Sequence, residues 1–364
     1  MGLSLADQTP VTEHEPFDRW RARVRDSAAA QVGVFVSQRC DEHLAPAPET
    51  AFLGEVLVGF VASGKFLRSA FVLAGVLCGQ PESAAAVRAA ASAELLHCFA
   101  LLQDDVMDGS PTRRGAPSAH VRFADWHRRA GLPGSSARFG ESAAVLAADL
   151  CLVWASQLLR ECGLPPDAVA RALPRYDWMR AELAVGQLRD LANQASEDPS
   201  LVEVLAIARA KSGHYTVRRP VELGADLAGC LPEVLAALGV YGDAIGEAFQ
   251  LRDDLLGLFG DPATTGKPRG EDLRAGRATS VLVVARDLAT PAQRRALRLG
   301  PEPGDDAVDR CLAVVEETGA RHHVERLIDQ RLRNGLAALA SAAIPVAARE
   351  YLTGLARLSC VRDH

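Results

Sequence analysis

Residues 91–108, ASAELLHCFALLQDDVMD, carry Asp104, Asp105 and Asp108 at the end of an apolar run that stops at Gly109, Ser110 and Pro111. Ala and Leu favour a helix here, and glycine followed closely by proline opposes its continuation. With 3.6 residues per turn, Asp104 and Asp108 stand one above the other, about 6 Å apart in rise, with Asp105 beside them. Like charges four residues apart repel, and anions at a helix C-terminus face the negative pole of its dipole, each effect costing about 0.2–1 kcal/mol. A positive partner is therefore expected. Magnesium suits the position, because it takes oxygen ligands, uses one or two carboxylates per ion and completes its shell with water or phosphate. A solvated acidic helix end is the competing reading of the segment taken alone.

A second helix is expected over residues 240–259, carrying Gln250, Asp253 and Asp254 in FQLRDDLLGLFGD. One turn beyond Asp253 stands Gly257 rather than a third carboxylate, so this cluster is a pair. The loop that follows, residues 260–280, offers Lys267 among Gly266, Pro268 and Gly270, a composition suited to a mobile segment with one cation over phosphate. It is not a nucleotide-binding P-loop. Five residues, not four, separate Gly260 from Gly266-Lys267; Pro268 replaces the required Ser or Thr; and the loop follows a helix.

The rest of the 364-residue chain supports an all-α fold. Its 48% apolar content is enough for a large core, and Ala, Leu, Arg and Glu dominate beyond residue 18. Alternating Val/Ile/Thr runs with Asn-Gly or Asp-Gly turns are missing, so no sheet is expected. Residues 1–17 read as a mobile leader and 18–364 as one domain without internal repeats, broken by Gly- and Pro-rich turns such as residues 131–136 and 163–166. A net charge of -6 argues against a nucleic-acid partner. Eight cysteines without a Cys-x-x-Cys pair suggest reduced core thiols rather than zinc or disulfides. No signal sequence and no uncharged run of transmembrane length is apparent, which points to a cytoplasmic protein.

Basic residues flank the acidic clusters: Lys65 and Arg68 in GKFLR, Arg113 and Arg114 just after Asp108, and His97 about two turns before Asp104. Arg forks and Lys point charges are the groups expected around diphosphate oxygens. With GKFLR, ELLH, DDVMD, TRRG, KSGHY, FQLRDD and TGKP in this order, most of residues 54–285 closely resembles the trans-polyprenyl diphosphate synthases, the family of farnesyl and geranylgeranyl diphosphate synthases.

The resemblance implies a helical bundle around a deep apolar cavity, usually as a homodimer. It implies three magnesium ions held by Asp104, Asp105, Asp108 and Asp253, with Asp254 nearby, bridging an allylic diphosphate that Arg113, Lys211 and Lys267 also bind. Lys65, Arg68, His97 and Arg114 would take isopentenyl diphosphate. Ser212, in place of the usual Thr, and Gln250 would steady an allylic carbocation formed by ionisation, which the isopentenyl double bond then attacks. Gly257 leaves the third metal's ligation open.

Product length depends on what blocks the cavity below Asp104. On an ideal helix Ala100 lies about 40° from the azimuth of Asp104 and Phe99 about 140°. The small Ala100 favours a chain beyond C15, and an aromatic residue at Phe99 resembles the pattern of C20 enzymes. Geranylgeranyl diphosphate is thus the expected product and farnesyl diphosphate the second choice. A terpene cyclase on the same fold, for which Gly257 speaks, and a non-catalytic synthase subunit are the alternatives. Trp126, His127 and the arginines of residues 113–138 are expected to form a solvated basic loop.

Overall fold

The computed structural model describes residues 14–44, 46–194, 199–261, 269–300 and 303–360. The helix-favouring sequence forms α1 (Phe17–His43), α2 (Pro48–Val61), α3 (Leu67–Val76), α4 (Ala84–Met107), α5 (Ala119–Arg129), α6 (Ser136–Arg160), α7 (Pro166–Gln194) and α8 (Leu201–Ala208). A π-helical segment (Arg209–Arg218) leads into α9 (Arg219–Ala228) and α10 (Pro232–Phe259). Then come α11 (Glu271–Arg274), α12 (Ser280–Leu288), α13 (Pro291–Ala296), α14 (Asp305–Glu317), α15 (Ala320–Ala340) and α16 (Val346–Cys360).

Both acidic helices start earlier than expected. The hydroxyl of Ser83 accepts from Ala86 N at 3.1 Å and caps α4 there, while Pro232 opens α10 at a position where its missing N–H costs nothing. Residues 1–13, most of the expected leader, lie outside the described residues. Phe17, placed at its end, instead opens α1, and Trp20 stacks on Tyr351 of α16 at 4.3 Å.

The core is centred on α4, whose Ala86, Ala89, Ala90, Ala91 and Ala93 are buried and let α1, α3 and α6 pack close to it. By length and mean hydropathy α4 and α6 would each cross a membrane, although Glu94 and Asp149 interrupt them. In the fold α4 is mostly buried and lies along α6, as a core helix does.

Two crossings depend on paired glycines. Where α3 meets α9, a Cβ on Gly224 would fall on Val72 O and 2.8 Å from Val76 N, and one on Gly75 would fall on Val221 O. Where the π-helical segment meets α10, a Cβ on Gly213 would lie 2.9 Å from Gly246 C, and one on Gly246 2.6 Å from Gly213 O. Backbone-to-backbone contact of this kind excludes any side chain. At the second crossing it sets Lys211 and Ser212 beside the helix that carries Gln250 and Asp253.

Contrary to the expectation of no strand, β1 (Thr112–Arg113) and β2 (Ala116–Pro117) form a small antiparallel hairpin. The stretch after it is not a solvated loop. Trp126 of α5 stacks between Phe52 of α2 at 5.9 Å and Phe139 of α6 at 5.7 Å, and His127 is buried against Phe139. All eight cysteines are free and most are buried.

Candidate active site

The three carboxylates of α4 are each met by a cation from a different element. Arg114 (φ 54°) and Gly115 (φ 76°) both take left-handed conformations, as a two-residue hairpin turn requires. This turn sends two adjacent arginines apart. Arg113 donates from Nε to Asp105 Oδ1 at 2.7 Å, contacts the same oxygen through Nη2, and reaches Asp104 Oδ2 at 3.4 Å. Arg114 instead binds the carbonyl and hydroxyl of Ser63 and lies over Phe60.

From the π-helical segment, Lys211 Nζ lies 2.7 Å from Asp190 Oδ2 and 3.6 Å from Asp104 Oδ1. A Cβ on Gly186 would be only 2.7 Å from Lys211 N, so α7 crosses here in close contact and brings in Gln187, 3.5 Å from Asp104 Oδ1. A π turn changes side-chain direction within a helix, and it does so where Lys211 and Ser212 stand. Asp108 pairs with Arg277, which lies beyond α11. Sequence reading missed Gln187, Asp190 and Arg277; the first two sit three residues apart on one helix face, the only signal they gave.

The second cluster divides its pair. The buried Asp254 accepts from Ser280 N at 2.9 Å, from Ser280 Oγ at 2.5 Å and from Gln250 Nε2 at 2.8 Å, so it anchors the start of α12. Gln250, expected to face a cation, directs its amide N–H to Asp254. Asp253 is half-buried. A Cβ on Gly257 would fall on the carboxylate of Asp272, which lies 3.4 Å from Arg277 Nη1. Arg277 thereby joins Asp108 of the first cluster to Asp272 beside the second. Lys267 lies outside the described residues.

Two turns below Asp104 on α4 a separate basic group gathers. Arg68 is buried, stacks on the Tyr215 ring at 4.3 Å and donates to Thr216 Oγ1 at 2.8 Å. The His97 ring lies 6.1 Å from Tyr215 and its Nδ1 has no hydrogen-bond partner. Burial, then Arg68, Arg114 and Arg113, hold His97 well below its ordinary value, leaving it neutral near pH 7. Lys65 is exposed just before Phe66, whose left-handed backbone (φ 48°) starts α3. Phe99 and Ala100 are partly buried against the core between the two groups.

Among the described residues no three carboxylate, imidazole or thiolate groups converge into a ready-made metal site. The donor set still fits magnesium, which relies on few carboxylates. Asp105 Oδ2 is buried without a hydrogen-bond partner, and burial raises the pKa of both Asp105 and Asp108, so these oxygens are short of positive charge even with Arg113 and Arg277 present.

His214, behind Lys211, sits between Asp243 (Nε2 to Oδ1 2.9 Å, outside hydrogen-bond alignment) and Glu182 (3.6 Å). Burial lowers its pKa, but the two carboxylates outweigh this and raise it. Burial likewise opposes ionisation of Glu182, and Arg219 and His214 overcome it, bringing Glu182 down to about 2.

Two stability measurements test these placements. Asp254→Ala leaves Ser280 N–H and the Gln250 amide unpaired and should cost about 1–3 kcal/mol in urea unfolding; an equal loss from Asp253→Ala would contradict the division of the pair. The His214 contribution is complete below its ordinary 6.5 and fades as pH rises through its raised value, with about 1.4 kcal/mol for every tenfold gain in proton affinity on folding. That of Glu182 is complete above 4.5 and fades toward about 2. Unfolding stability should therefore decline above pH 6.5 in the native protein and lose that decline in His214→Gln; an unchanged decline would refute the assignment.

Comparison with known proteins places these features in one family. The polyprenyl synthetase family model matches residues 51–317. A geranylgeranyl diphosphate synthase of Mycobacterium tuberculosis is 33% identical over 307 residues, 83% of this chain and 81% of that protein. A (2E,6E)-farnesyl diphosphate synthase of Mycobacterium bovis is 34% identical over 287 residues, 75% of each chain. The crystal structure of a geranylgeranyl pyrophosphate synthase from Corynebacterium glutamicum, complexed with isoprenyl diphosphate and magnesium, superposes with a TM-score of 0.88 at 36% identity, covering 96% of this chain and 100% of that one. The chain therefore belongs to the polyprenyl synthetase family, shares the all-α isoprenoid synthase fold, and is a trans-prenyltransferase that carries out prenyl diphosphate condensation.

Proposed function

We propose that the protein condenses isopentenyl diphosphate with an allylic prenyl diphosphate in the presence of magnesium, three ions per site, to give geranylgeranyl diphosphate. The observation that carries this reading is that two groups of charged residues with different chemistry lie two turns apart along α4. One combines Asp104, Asp105 and Asp108 with Arg113 and Lys211; the other, two turns below, holds Arg68, Arg114 and a neutral His97. A cyclase acting on one diphosphate needs only the first.

Asp104, Asp105, Asp108 and Asp253 are the residues that would hold magnesium, which when bound neutralises the departing diphosphate. Arg113 and Lys211 are placed to hold the allylic diphosphate and Lys267 joins them in this reading. Arg68, Arg114, His97 and Lys65 orient isopentenyl diphosphate so that its double bond faces the ionising carbon. Ser212 and Gln250 supply oxygen dipoles near that carbon, and the buried walls exclude the water that would quench it.

Relatives at 33% and 34% identity are named for geranylgeranyl and farnesyl products respectively, so overall similarity does not set chain length. Ala100 does so in this reading, with Phe99 beside it. We place the enzyme in the cytoplasm as a homodimer. Leu146 and Val153, seven residues apart on α6, and Trp178 and Val185, likewise spaced on α7, are more than half exposed and offer an apolar face to a second copy.

Purified protein incubated with magnesium, isopentenyl diphosphate and dimethylallyl, geranyl or farnesyl diphosphate should yield a C20 diphosphate by mass spectrometry. Ala100→Phe should shorten it to C15 or less. Cyclised hydrocarbon with isopentenyl diphosphate unused would overturn the reading, and an unchanged product from Ala100→Phe would overturn the chain-length part. Sedimentation analysis should show a dimer that Val153→Asp dissociates; a native monomer would remove the homodimer.

A further inference from the structure

Lys65 and Arg68 stand where the short connection after α2 enters α3. Phe66, the residue before α3, is left-handed (φ 48°, ψ 43°) and gives the helix no side-chain cap. A non-glycine residue keeps such a conformation only where its surroundings over-determine it. Groups from α4, the hairpin and α1 do so. Glu94 of α4, 6% exposed, accepts from Ser69 N at 2.8 Å and so caps the first turn of α3, and Ser69 Oγ donates to Ala90 O at 3.0 Å. Glu94 lies three residues before His97 on one face of α4, so a single helical turn sets both the imidazole and the start of the helix that carries Arg68. Arg114 of the hairpin holds the carbonyl of Ser63. Arg21 of α1 donates from Nη2 to the carbonyl of Lys65. Its Nε is buried without a hydrogen-bond partner; burial lowers the pKa of this guanidinium, and the Glu94 carboxylate opposes that effect.

We propose that Arg21 is a positioning residue for isopentenyl diphosphate: by fixing the Lys65 carbonyl, with Glu94 as its counter-charge, it sets the backbone from which Lys65 and Arg68 meet the diphosphate. The assignment rests on the proposed reading of Lys65, Arg68, His97 and Arg114 as the site for that substrate. Arg21 acts through Lys65 and touches no substrate itself. The groups that meet Asp104, Asp105 and Asp108 come from elements other than α1, so the effect of Arg21 is confined to one of the two substrates.

Steady-state kinetics of the full chain, with isopentenyl diphosphate and the allylic diphosphate varied separately, test this. Arg21→Met keeps most of the side-chain length and removes the donor. It should raise KM for isopentenyl diphosphate about tenfold and leave kcat and the allylic KM within about twofold of native. An unchanged KM for isopentenyl diphosphate in folded Arg21→Met would overturn the proposal, and so would an equal rise in both KM values or a fall in kcat alone, which a general loosening of the bundle produces. If Arg21→Met does not fold, Glu94→Gln decides, because it keeps an acceptor for Ser69 N–H and removes the charge facing Arg21: a selective rise in the same KM supports the proposal, and native-like kinetics overturn it. A native enzyme that leaves isopentenyl diphosphate unused would overturn the proposal together with the reading beneath it, whereas native turnover with an unaffected variant would overturn the proposal alone.

Discussion

Three carboxylates at the negative end of one helix have to be answered by positive charge, and the surroundings of Asp104, Asp105 and Asp108 are organised by that requirement. Each answer comes from a different backbone device. A tight hairpin turn with Arg114 in a left-handed conformation leaves Arg113 on Asp105. A π-helical segment, held against α7 and α10 by glycine contacts, presents Lys211 to Asp104 and Asp190. The segment after α11 brings Arg277 back to Asp108. These pairs offset part of the cost of clustering the carboxylates, about 1–2 kcal/mol in sum, but burial still raises Asp105 and Asp108, so the arrangement stays open to more positive charge at Asp105.

The same charge pattern separates two groups of basic residues that are only two helical turns apart along α4. Around Asp104 the cations are already engaged by carboxylates, which suits an anion arriving with its own metal. Arg68 is met instead by the Thr216 hydroxyl and the aromatic face of Tyr215, which suits an anion arriving alone. Keeping His97 neutral avoids a third charge there while leaving a ring N–H for hydrogen bonding.

Much of this was legible in the residues. The period of apolar positions in 91–108 and the stop at Gly109 located the acidic helix end, and the order of motifs identified the family. What could not be read depended on tertiary geometry. Arg113 and Arg114 are neighbours in sequence and part ways only because of the φ values at the turn. Gln187 and Asp190 carry no local signal beyond their three-residue spacing, and only the close approach of Gly186 to Lys211 brings them to Asp104 and Lys211. Asp253 and Asp254 look equivalent, and only the N-terminus of α12 distinguishes them. Nothing local to Gly257 signals that Asp272, fifteen positions later (272 minus 257), fills its place.

The central claim is that two diphosphates bind side by side at chemically different sites on α4. The most direct measurement is a crystal structure with magnesium, isopentenyl diphosphate and a non-ionisable thio analogue of an allylic diphosphate. The account predicts the analogue's diphosphate with metal at Asp104, Asp105, Asp108 and Asp253, and isopentenyl diphosphate without metal at Arg68, Arg114 and His97. A single diphosphate at the aspartates with the basic site empty at saturating isopentenyl diphosphate would contradict it.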